Sequence, residues 1–536
     1  MSTDDGLSRR LFLARLSALA AGATGATLLP GVASAATAPP TLVDVAAPDG
    51  ATSDPTALTV AEAATMIRRG QLTSEELVRA CLERIEGYDS LFQAFNLVLA
   101  DAALARARQL DGESPRTALH GIPLAIKDNY FSRGVRTTAN SFIFADFDPP
   151  YDATALGRLE TAGGVMIGKT QMGPLATTRA TTPAGVITTV NAWAPDHPNI
   201  NPGGSSTGSA TATAIGMALS SVGTQTGGSI TAPSNAQGLT GLKPTMGRVS
   251  LHGIIPLTFT RDHPGPIARD AMDCAIMLTA MAGPDPDDFR TQGLPQLPDL
   301  TRAATPVRQD GRTTLRRRTR IGVTPDFLAT SNPETAAARR SFLDALAGLR
   351  HATVVEVPLP AEWDLLTGSR FNNVRLPERT EPFREYLRQD LQLFGVSVLN
   401  WLAGVLLSGD EYTTGQRAKV VLFQRVMDEI FAACDVVVQT DPVPFDIIGL
   451  PEIGFPIGLR SATSDTPVLP IGTILGGQPY AEDRLLEVVA AYQDVTDWHR
   501  RRPELPPAPA ASAAPRAPSS APPARLSALE AARTGQ

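Results

Sequence analysis

Two glycine-rich segments, each containing a serine, constrain this chain more than any other feature. They read GGSS at 203–206 and GGSI at 227–230, so Ser205 and Ser229 lie 24 residues apart. Glycine permits backbone conformations and close approaches that a side chain would block. Backbone N–H groups can then gather around one oxygen atom, as they do in the oxyanion holes of acyl-transfer enzymes. The two segments therefore predict tight loops around a reactive hydroxyl group.

Lysine is the residue type that can activate such a hydroxyl group in this chain. There are only four lysines among 47 basic residues: Lys127, Lys169, Lys243 and Lys419. Ser–Lys pairs are a known variant of the serine-nucleophile arrangement, and lysine can lose its proton where arginine effectively cannot. Lys127 follows the apolar run PLAI at 123–126, and apolar surroundings lower a lysine pKa. Together with Ser205 and Ser229, it predicts cleavage of carboxamides or esters.

Composition indicates a globular protein and disfavours several function classes. The 536 residues are 43% hydrophobic and 19% charged, and the formal net charge is −7. This charge, without a basic stripe carrying aromatics, disfavours nucleic-acid binding. We predict buried thiols rather than disulfides for the three widely separated cysteines, Cys81, Cys274 and Cys434. The six histidines lack metal-ligand spacing, so we predict no metal and no cofactor.

The N-terminus has the pattern of a twin-arginine export signal. SRRLFL at 8–13 is followed by a weakly apolar Ala/Leu/Gly stretch, and ASA at 33–35 offers a small-residue cleavage site. We therefore predict a signal peptide at 1–35 and a periplasmic or extracellular location. No later run of about 18 apolar residues predicts a membrane span.

The pattern of predicted elements indicates an α/β architecture. Between residues 119 and 280, short β-branched runs alternate with Gly/Ala-rich helical stretches. Thr73 and Glu76 form a capping box, which predicts that a helix begins there. Other predicted elements are an extended segment at 36–56, a surface excursion at 283–318, strands at 320–323 and 435–438, and helical regions at 333–349 and 361–433. We expect a catalytic domain at 57–502 and a disordered Pro/Ala-rich tail at 503–536.

Two short motifs match other enzyme classes but lack the required context. GSSTG at 204–208 fits the nucleophile elbow of α/β-hydrolases, which needs a preceding strand, whereas 195–202 is a proline-broken loop. GGVMIGKT at 163–170 fits the P-loop, which lies between a strand and a helix, whereas 165–167 is itself the predicted strand. We therefore assign neither function.

The central sequence resembles the amidase signature family of serine hydrolases. The resemblance runs from GGSS at 203–206 to GLKPT at 241–245 and extends to HGIPLAIKD at 120–128, DHPGPIAR at 262–269 and GLP at 449–451 with FPIG at 455–458. It covers about residues 57–498. It implies one α/β domain with a large mixed sheet, helices on both faces and the site at one sheet edge.

The resemblance also implies a role for each site residue. Ser229 is the expected nucleophile, Ser205 after a cis peptide bond is the expected proton relay, and Lys127 is the expected base. Backbone N–H groups of Thr226, Gly227, Gly228 and Ser229 are expected to form the oxyanion hole. Lys243 is expected to pack within the structure rather than react.

Two departures from the family pattern fall beside the expected nucleophile. The family usually has Asp where this chain has Gln225 and Arg where it has Thr231. Losing both charges together avoids leaving one of them buried and unpaired, which is costly. We therefore predict rearranged contacts around an intact Ser–Ser–Lys triad.

Several functions stay open on the sequence. The first prediction is an amidase acting on a small-molecule or peptide amide, with 361–433 shaping the acyl pocket and a homodimer as one option for its assembly. An esterase on the same triad is one alternative. The glutamine-hydrolysing subunit of a tRNA-dependent amidotransferase is another, although predicted export and the lack of a basic RNA-facing surface argue against it. A catalytically silent exported binding protein is the third, and it predicts a damaged triad.

Overall fold

The computed structural model describes residues 42–43, 54–464 and 466–507. The predicted signal peptide at 1–35 and the tail from residue 508 lie outside these ranges, so the structure does not bear on either prediction. Where the chain enters the described region, Pro55–Ala57 form a 3-10 turn at the end of the segment predicted to be extended. Leu505 packs against the core, so the first residues of the predicted tail still belong to the folded body.

A 12-stranded mixed sheet forms the centre of the molecule and confirms the predicted fold class. The strands are β1 Phe95–Val98, β2 Pro123–Lys127, β3 Val165–Thr170, β4 Ser220–Gln225, β5 Thr240–Lys243, β6 His263–Ala268, β7 Val307–Gln309, β8 Arg312–Val323, β9 Arg350–Glu356, β10 Val436–Gln439, β11 Glu452–Arg460 and β12 Leu469–Gly477. Their spatial order is β1-β3-β2-β4-β6-β5-β11-β12-β10-β8-β7, and β9 pairs with β8.

Helices flank this sheet. They are α1 Val60–Arg68, α2 Ser74–Phe92, α3 Ala100–Asp111, α4 Thr154–Thr161, α5 Thr207–Ala214, α6 Thr231–Gln237, α7 Ala271–Met281, α8 Leu300–Ala303, α9 Pro333–Gly348, α10 Trp363–Thr367, α11 Ser369–Asn372, α12 Arg375–Thr380, α13 Arg384–Gln389, α14 Val398–Leu406, α15 Gly409–Arg425, α16 Val443–Ile448 and α17 Glu482–Val495. The predicted capping box at Thr73 and Glu76 is present and begins α2, because each residue's side chain satisfies a backbone N–H of the other.

The second half of the chain follows the sequence predictions with one correction. The region 361–433 is mostly helical, as predicted, and β10 lies where the buried strand was expected. The predicted surface excursion at 283–318 contains regular elements and runs into the central sheet. Helix α8 and strand β7 fall within it, and the strand predicted at 320–323 is the end of β8, which begins at Arg312. The first part of β8 reads RTTLRRRTR, and these arginines and threonines concealed it from a search for apolar runs.

The candidate site lies where two central strands end. β2 pairs in parallel with β4, so their carboxyl ends meet along the same edge of the sheet. Lys127 is the last residue of β2, and Gln225 is the last residue of β4. The glycine-rich segment 226–229 follows directly and leads into α6. The predicted site is therefore at the ends of neighbouring central strands rather than on an outermost strand.

The described residues contain no single helix long and apolar enough to cross a membrane. One bent pair, 391–406 with 409–430, meets the length and composition criteria together, with a bend of 93°.

Candidate active site

Lys127 is buried at the end of β2 and points at the loop that carries Ser205. Its Nζ donates hydrogen bonds to Ser205 Oγ at 2.8 Å and to Thr224 Oγ1 at 2.8 Å. Burial lowers the pKa of Lys127 to about 7, and the charge of Asp262 opposes this shift. A lysine with such a pKa is a neutral base in a large fraction of molecules at neutral pH, as the predicted mechanism requires.

Ser205 follows a cis peptide bond with Gly204, as the family resemblance implied. Close packing explains the glycines here. A Cβ on Gly204 would lie 2.6 Å from Thr178 O and from Arg179 Cα, and Gly203 has φ +79° with Pro233 Cα 2.3 Å from its Cβ position. The loop thus admits no side chains before Ser205. Ser205 is only 1% exposed, and its hydroxyl lies beside the lysine.

Ser229 lies at the start of the turn into α6 and is 9% exposed. Its hydroxyl has no hydrogen-bond partner among the residues that the structure describes. It is therefore not committed to another group of the fold. The structure thus brings Lys127 and Ser205 into direct contact and leaves the hydroxyl of Ser229 unengaged.

The segment predicted to form the oxyanion hole differs from the prediction at Gly228. Its N–H donates to Asp446 Oδ2 at 2.8 Å, so in this conformation it is not available to a substrate oxygen. In the described part of the chain, the N–H groups of Gly227 and Ser229 have no acceptor. Gly227 is also exposed, whereas its neighbours are buried. The N–H of Thr226, also predicted to line the oxyanion hole, has no acceptor among the described residues either, but Gly227 and Ser229 lie nearer to the nucleophilic hydroxyl in sequence and are the better candidates for stabilising an oxyanion.

Thr226 is fixed by a buried carboxylate. Its hydroxyl donates to Asp262 Oδ1 at 2.5 Å, and Asp262 Oδ2 accepts the N–H groups of Leu257 and Thr258 at 2.7 and 3.0 Å. Asp262 thus ties the loop before β6 to the nucleophile segment. Burial raises the pKa of Asp262, and these hydrogen bonds lower it.

The two departures from the family pattern lie in contact with each other. Gln225 Oε1 accepts hydrogen bonds from the N–H groups of Ile230 and Thr231, both at 2.9 Å, and from the Thr231 hydroxyl at 3.3 Å. The Gln225 amide therefore holds the turn into α6 without an ion pair. This agrees with the predicted rearrangement around positions 225 and 231.

A buried charged cluster lies behind Gln225, and sequence reasoning missed most of it. Gln225 Nε2 donates to Asp446 Oδ1 at 3.0 Å and to Glu452 Oε2 at 3.1 Å. Lys243 Nζ lies 3.4 Å from Asp446 Oδ1 and 3.2 Å from Glu452 Oε2. Lys243 is therefore structural, as predicted. Carboxylates inside the apolar run PFDIIGLPEIGF at 444–455 were the sequence signal for this cluster.

Three arginines whose charges act on one another were also missed, and one of them, Arg375, lies next to the exposed Gly227. An ideal Cβ placed on Gly227 would lie 3.7 Å from Arg375 Nη1. Arg261, Arg375 and Arg379 form no ion pair among the described residues, and each has at least one buried N–H without a hydrogen-bond partner. Burial lowers the pKa of Arg261 and of Arg379 to about 10. Such a group of unpaired guanidinium groups fits an anionic part of a substrate.

The structure also accounts for the two rival motifs. GKT at 168–170 is the end of β3, and Lys169 Nζ donates to Thr137 Oγ1 at 2.8 Å and lies 3.5 Å from Asp128 Oδ1. It is thus a structural lysine inside the core rather than a phosphate ligand. No strand leads directly into 204–208 in the described chain, because the preceding strand β3 ends at Thr170, so the nucleophile-elbow context is missing as well.

One group of metal-ligating side chains occurs away from this site, in the described region. Ligand atoms of His252, Asp285 and Asp287 all lie within 4.8 Å of one another. They come from two separated segments, so sequence spacing did not reveal them. Asp285 already accepts hydrogen bonds from Ser250 Oγ at 2.5 Å and from the N–H of Asp287 at 3.0 Å, so the loop uses these oxygens itself.

Comparisons with known proteins identify the class of this fold and site. The sequence matches the Amidase family over residues 76–372. It is 34% identical to a glutamyl-tRNA(Gln) amidotransferase subunit of Moorella thermoacetica, covering 84% of this chain and 98% of that protein. The fold is similar to the peptide amidase of Stenotrophomonas maltophilia, with 28% identity and a TM-score of 0.69 over 83% of this chain and 98% of that one.

A further solved structure shows the same likeness. It belongs to a vestigial protein complex that reveals the evolutionary origins of an s-triazine catabolic enzyme, and it has 25% identity and a TM-score of 0.71. It covers 82% of this chain and 98% of its own. These likenesses define a hydrolase that acts on amide bonds. The chain belongs to the amidase signature family, as the sequence resemblance predicted.

Proposed function

We propose that this protein hydrolyses a carboxamide C–N bond through an acyl-enzyme on Ser229. The observation that carries the proposal is the 2.8 Å hydrogen bond from Lys127 Nζ to Ser205 Oγ in a fully buried setting. A lysine with a pKa lowered to about 7 can accept a proton at neutral pH, and a hydroxyl beside it can relay that proton.

The steps use these positions and require Ser229 Oγ to form a hydrogen bond to Ser205 Oγ when substrate binds, a contact that the described residues do not make in this conformation. Ser229 Oγ attacks the amide carbonyl while its proton passes through Ser205 to Lys127. The N–H groups of Gly227 and Ser229 stabilise the tetrahedral oxyanion, and one such donor contributes about 3 kcal/mol in related chemistry. Lys127 returns the proton through Ser205 to the leaving amine as the C–N bond breaks. Water then attacks the acyl-enzyme by the same proton route and releases the acid.

Covalent labelling tests the nucleophile. We expect a fluorophosphonate probe to add once to the wild-type protein and not to Ser229→Ala, as read by intact-protein mass spectrometry. Matched ester and amide substrates then separate an esterase from an amidase. Folded wild-type protein that takes no adduct and cleaves no amide would contradict the proposal and favour a silent binding protein.

The protonation state of Lys127 predicts a pH dependence. Its pKa is lowered from 10.5 to about 7, so the neutral base is lost below that pH. We expect kcat/KM for an uncharged amide to rise about tenfold per pH unit up to about pH 7 and then level off. A profile that keeps rising towards pH 10 would show that Lys127 retains its ordinary pKa and is not the poised base.

A second candidate is glutamine hydrolysis as part of an amidotransferase. The 34% identity to a glutamyl-tRNA(Gln) amidotransferase subunit, over 98% of that protein, favours it. Arg375 beside Gly227, together with the unpaired Arg261 and Arg379, favours it independently, because glutamine carries a carboxylate that a simple amide lacks. Release of ammonia from glutamine, absent in Ser229→Ala, is the expected result.

Arg375 provides the specific prediction for this candidate. We expect Arg375→Ala to raise KM for glutamine by about 10- to 100-fold, because a charge-assisted contact to a carboxylate is lost. The same variant should change KM for butyramide, which lacks the carboxylate, by less. Arg388→Ala is the control, since Arg388 is exposed and pairs with the equally exposed Glu385. An equal loss with both substrates would indicate a structural role instead.

Export of the protein is a separate proposal. It rests on the twin-arginine pattern at 8–13 and the small residues at 33–35. Replacing Arg9 and Arg10 by lysine should retain the protein inside the cell, as measured by fractionation. Equal export of both forms would contradict it.

A further inference from the structure

The nucleophile segment has a brace that comes from a distant part of the chain. Asp446 belongs to α16 and is fully buried. Its two carboxylate oxygens accept hydrogen bonds from different residues. Oδ2 accepts the N–H of Gly228 at 2.8 Å, and Oδ1 accepts from Gln225 Nε2 at 3.0 Å. The carboxylate thus spans both ends of the turn between β4 and Ser229.

The surrounding hydrogen bonds require two acceptor oxygens at position 446, as in a carboxylate. At position 225 they require one acceptor and one donor, as in an amide. Gln225 Oε1 already accepts two backbone N–H groups, so its Nε2 must point at an acceptor. Lys243 Nζ also faces Asp446 Oδ1, at 3.4 Å. An amide at position 446 would turn an N–H₂ group towards one of these donors.

We propose that Asp446 is a positioning residue for the nucleophile loop. Its carboxylate braces the loop at two points, through the Gly228 N–H and Gln225 Nε2. It also holds the Gly228 N–H, so that the N–H groups of Gly227 and Ser229 face the substrate. This inference rests on the proposed function of Ser229 as nucleophile.

A reciprocal exchange of side chains tests the brace. Asp446→Asn should lower kcat by about 10²-fold with a smaller change in KM, since a misplaced reacting group costs about that much. Gln225→Glu alone places its carboxylate against both Asp446 and Glu452 and should also lower kcat. The double variant Asp446→Asn/Gln225→Glu keeps the net charge and restores a donor–acceptor pair between positions 225 and 446, while Glu452 still faces position 225. We expect it to recover part of the kcat lost in the two single variants, an interaction that independent sites do not show.

The control is Asp273→Asn. Asp273 is also fully buried and accepts two backbone N–H groups, those of Val60 and Ala61 at 2.9 and 3.0 Å. It lies in α7, outside the nucleophile segment. The variant Asp273→Asn should lower thermal stability, and adding Gln225→Glu to it should not restore activity. Wild-type-like kcat in Asp446→Asn, or additive losses in the double variant, would overturn the proposal.

A measurement on the unaltered protein covers the case in which Asp446→Asn does not fold. Amide hydrogen exchange should show strong protection at Gly228 and fast exchange at Gly227. Equal, fast exchange at both would overturn the proposal. Failure of the proposed function itself is distinguishable, because wild-type protein would then take no fluorophosphonate adduct whatever the exchange pattern.

Discussion

Replacing Lys127 by methionine is expected to abolish turnover while making the protein more stable. Lys127 is fully buried and forms no ion pair among the described residues. Methionine has a similar length and no charge to bury. Loss of the base and proton carrier should lower kcat by about 10³-fold or more. The free energy of unfolding should rise by on the order of 1 to 3 kcal/mol near neutral pH.

The size of the stability change depends on pH in a way that can be checked. The folded pKa of Lys127 is about 7 and the ordinary value is 10.5. Between these values the unfolded chain binds more protons, so wild-type stability rises with pH in this window. The advantage of Lys127→Met is therefore largest below about pH 7 and disappears towards pH 10.5. Urea unfolding at several pH values, alongside kcat, measures both effects.

Lys169 provides the matched control for that variant. It is equally buried but lies 3.5 Å from Asp128 Oδ1, which has no hydrogen-bond partner of its own. Lys169→Met therefore leaves a buried carboxylate unpaired, and we expect a loss of about 3 to 5 kcal/mol. If Lys127→Met were destabilised to the same extent, Lys127 would be a structural lysine like Lys169.

The sequence predicted the parts of this site that depend on local patterns. Lys127 and Ser205 were predicted from their own segments, and the structure places them 2.8 Å apart. The capping box at Thr73 and the strand near residue 436 are likewise local, because a few neighbouring residues determine each of them. Both elements could therefore be predicted without knowledge of any residue distant in sequence.

The parts that the sequence did not predict depend on long-range contacts. The Gly228 N–H was expected in the oxyanion hole, but its acceptor Asp446 lies 218 residues further along the chain. Arg375 approaches Gly227 from α12, in a region recognised only as helical and variable. A pattern within one segment cannot show which distant carboxylate or guanidinium will pack against it. The prediction for β8 was too short for a different reason. Its arginines hid the pattern of a β-strand before residue 320.

Gly208 gives a second prediction, in which steric contact outweighs helix propensity. It lies in α5, directly after the Ser205–Ser206 loop. Alanine is favoured over glycine inside a helix by about 1 kcal/mol. At this position, however, a Cβ would lie 2.3 Å from Ala94 O and 2.7 Å from both N and O of Gln171. These are backbone atoms that cannot rotate away as a side chain can, so α5 would have to move away from Ala94 and Gln171, which adjoin β1 and β3.

We therefore expect Gly208→Ala to lower the free energy of unfolding by about 2 to 3 kcal/mol or more, despite the gain in propensity. Gly157→Ala in α4 is the control, because no atom lies within 4 Å of its Cβ position. That variant should gain about 0.5 to 1 kcal/mol. Thermal unfolding of both variants measures the difference in stability.

The same two variants should also differ in activity. The Ser205 loop leads directly into α5, so a displacement of α5 also moves this loop. We therefore expect kcat to fall in Gly208→Ala and to stay unchanged in Gly157→Ala. Equal stabilisation of both variants would show that α5 can shift without cost and does not hold the Ser205 loop in place.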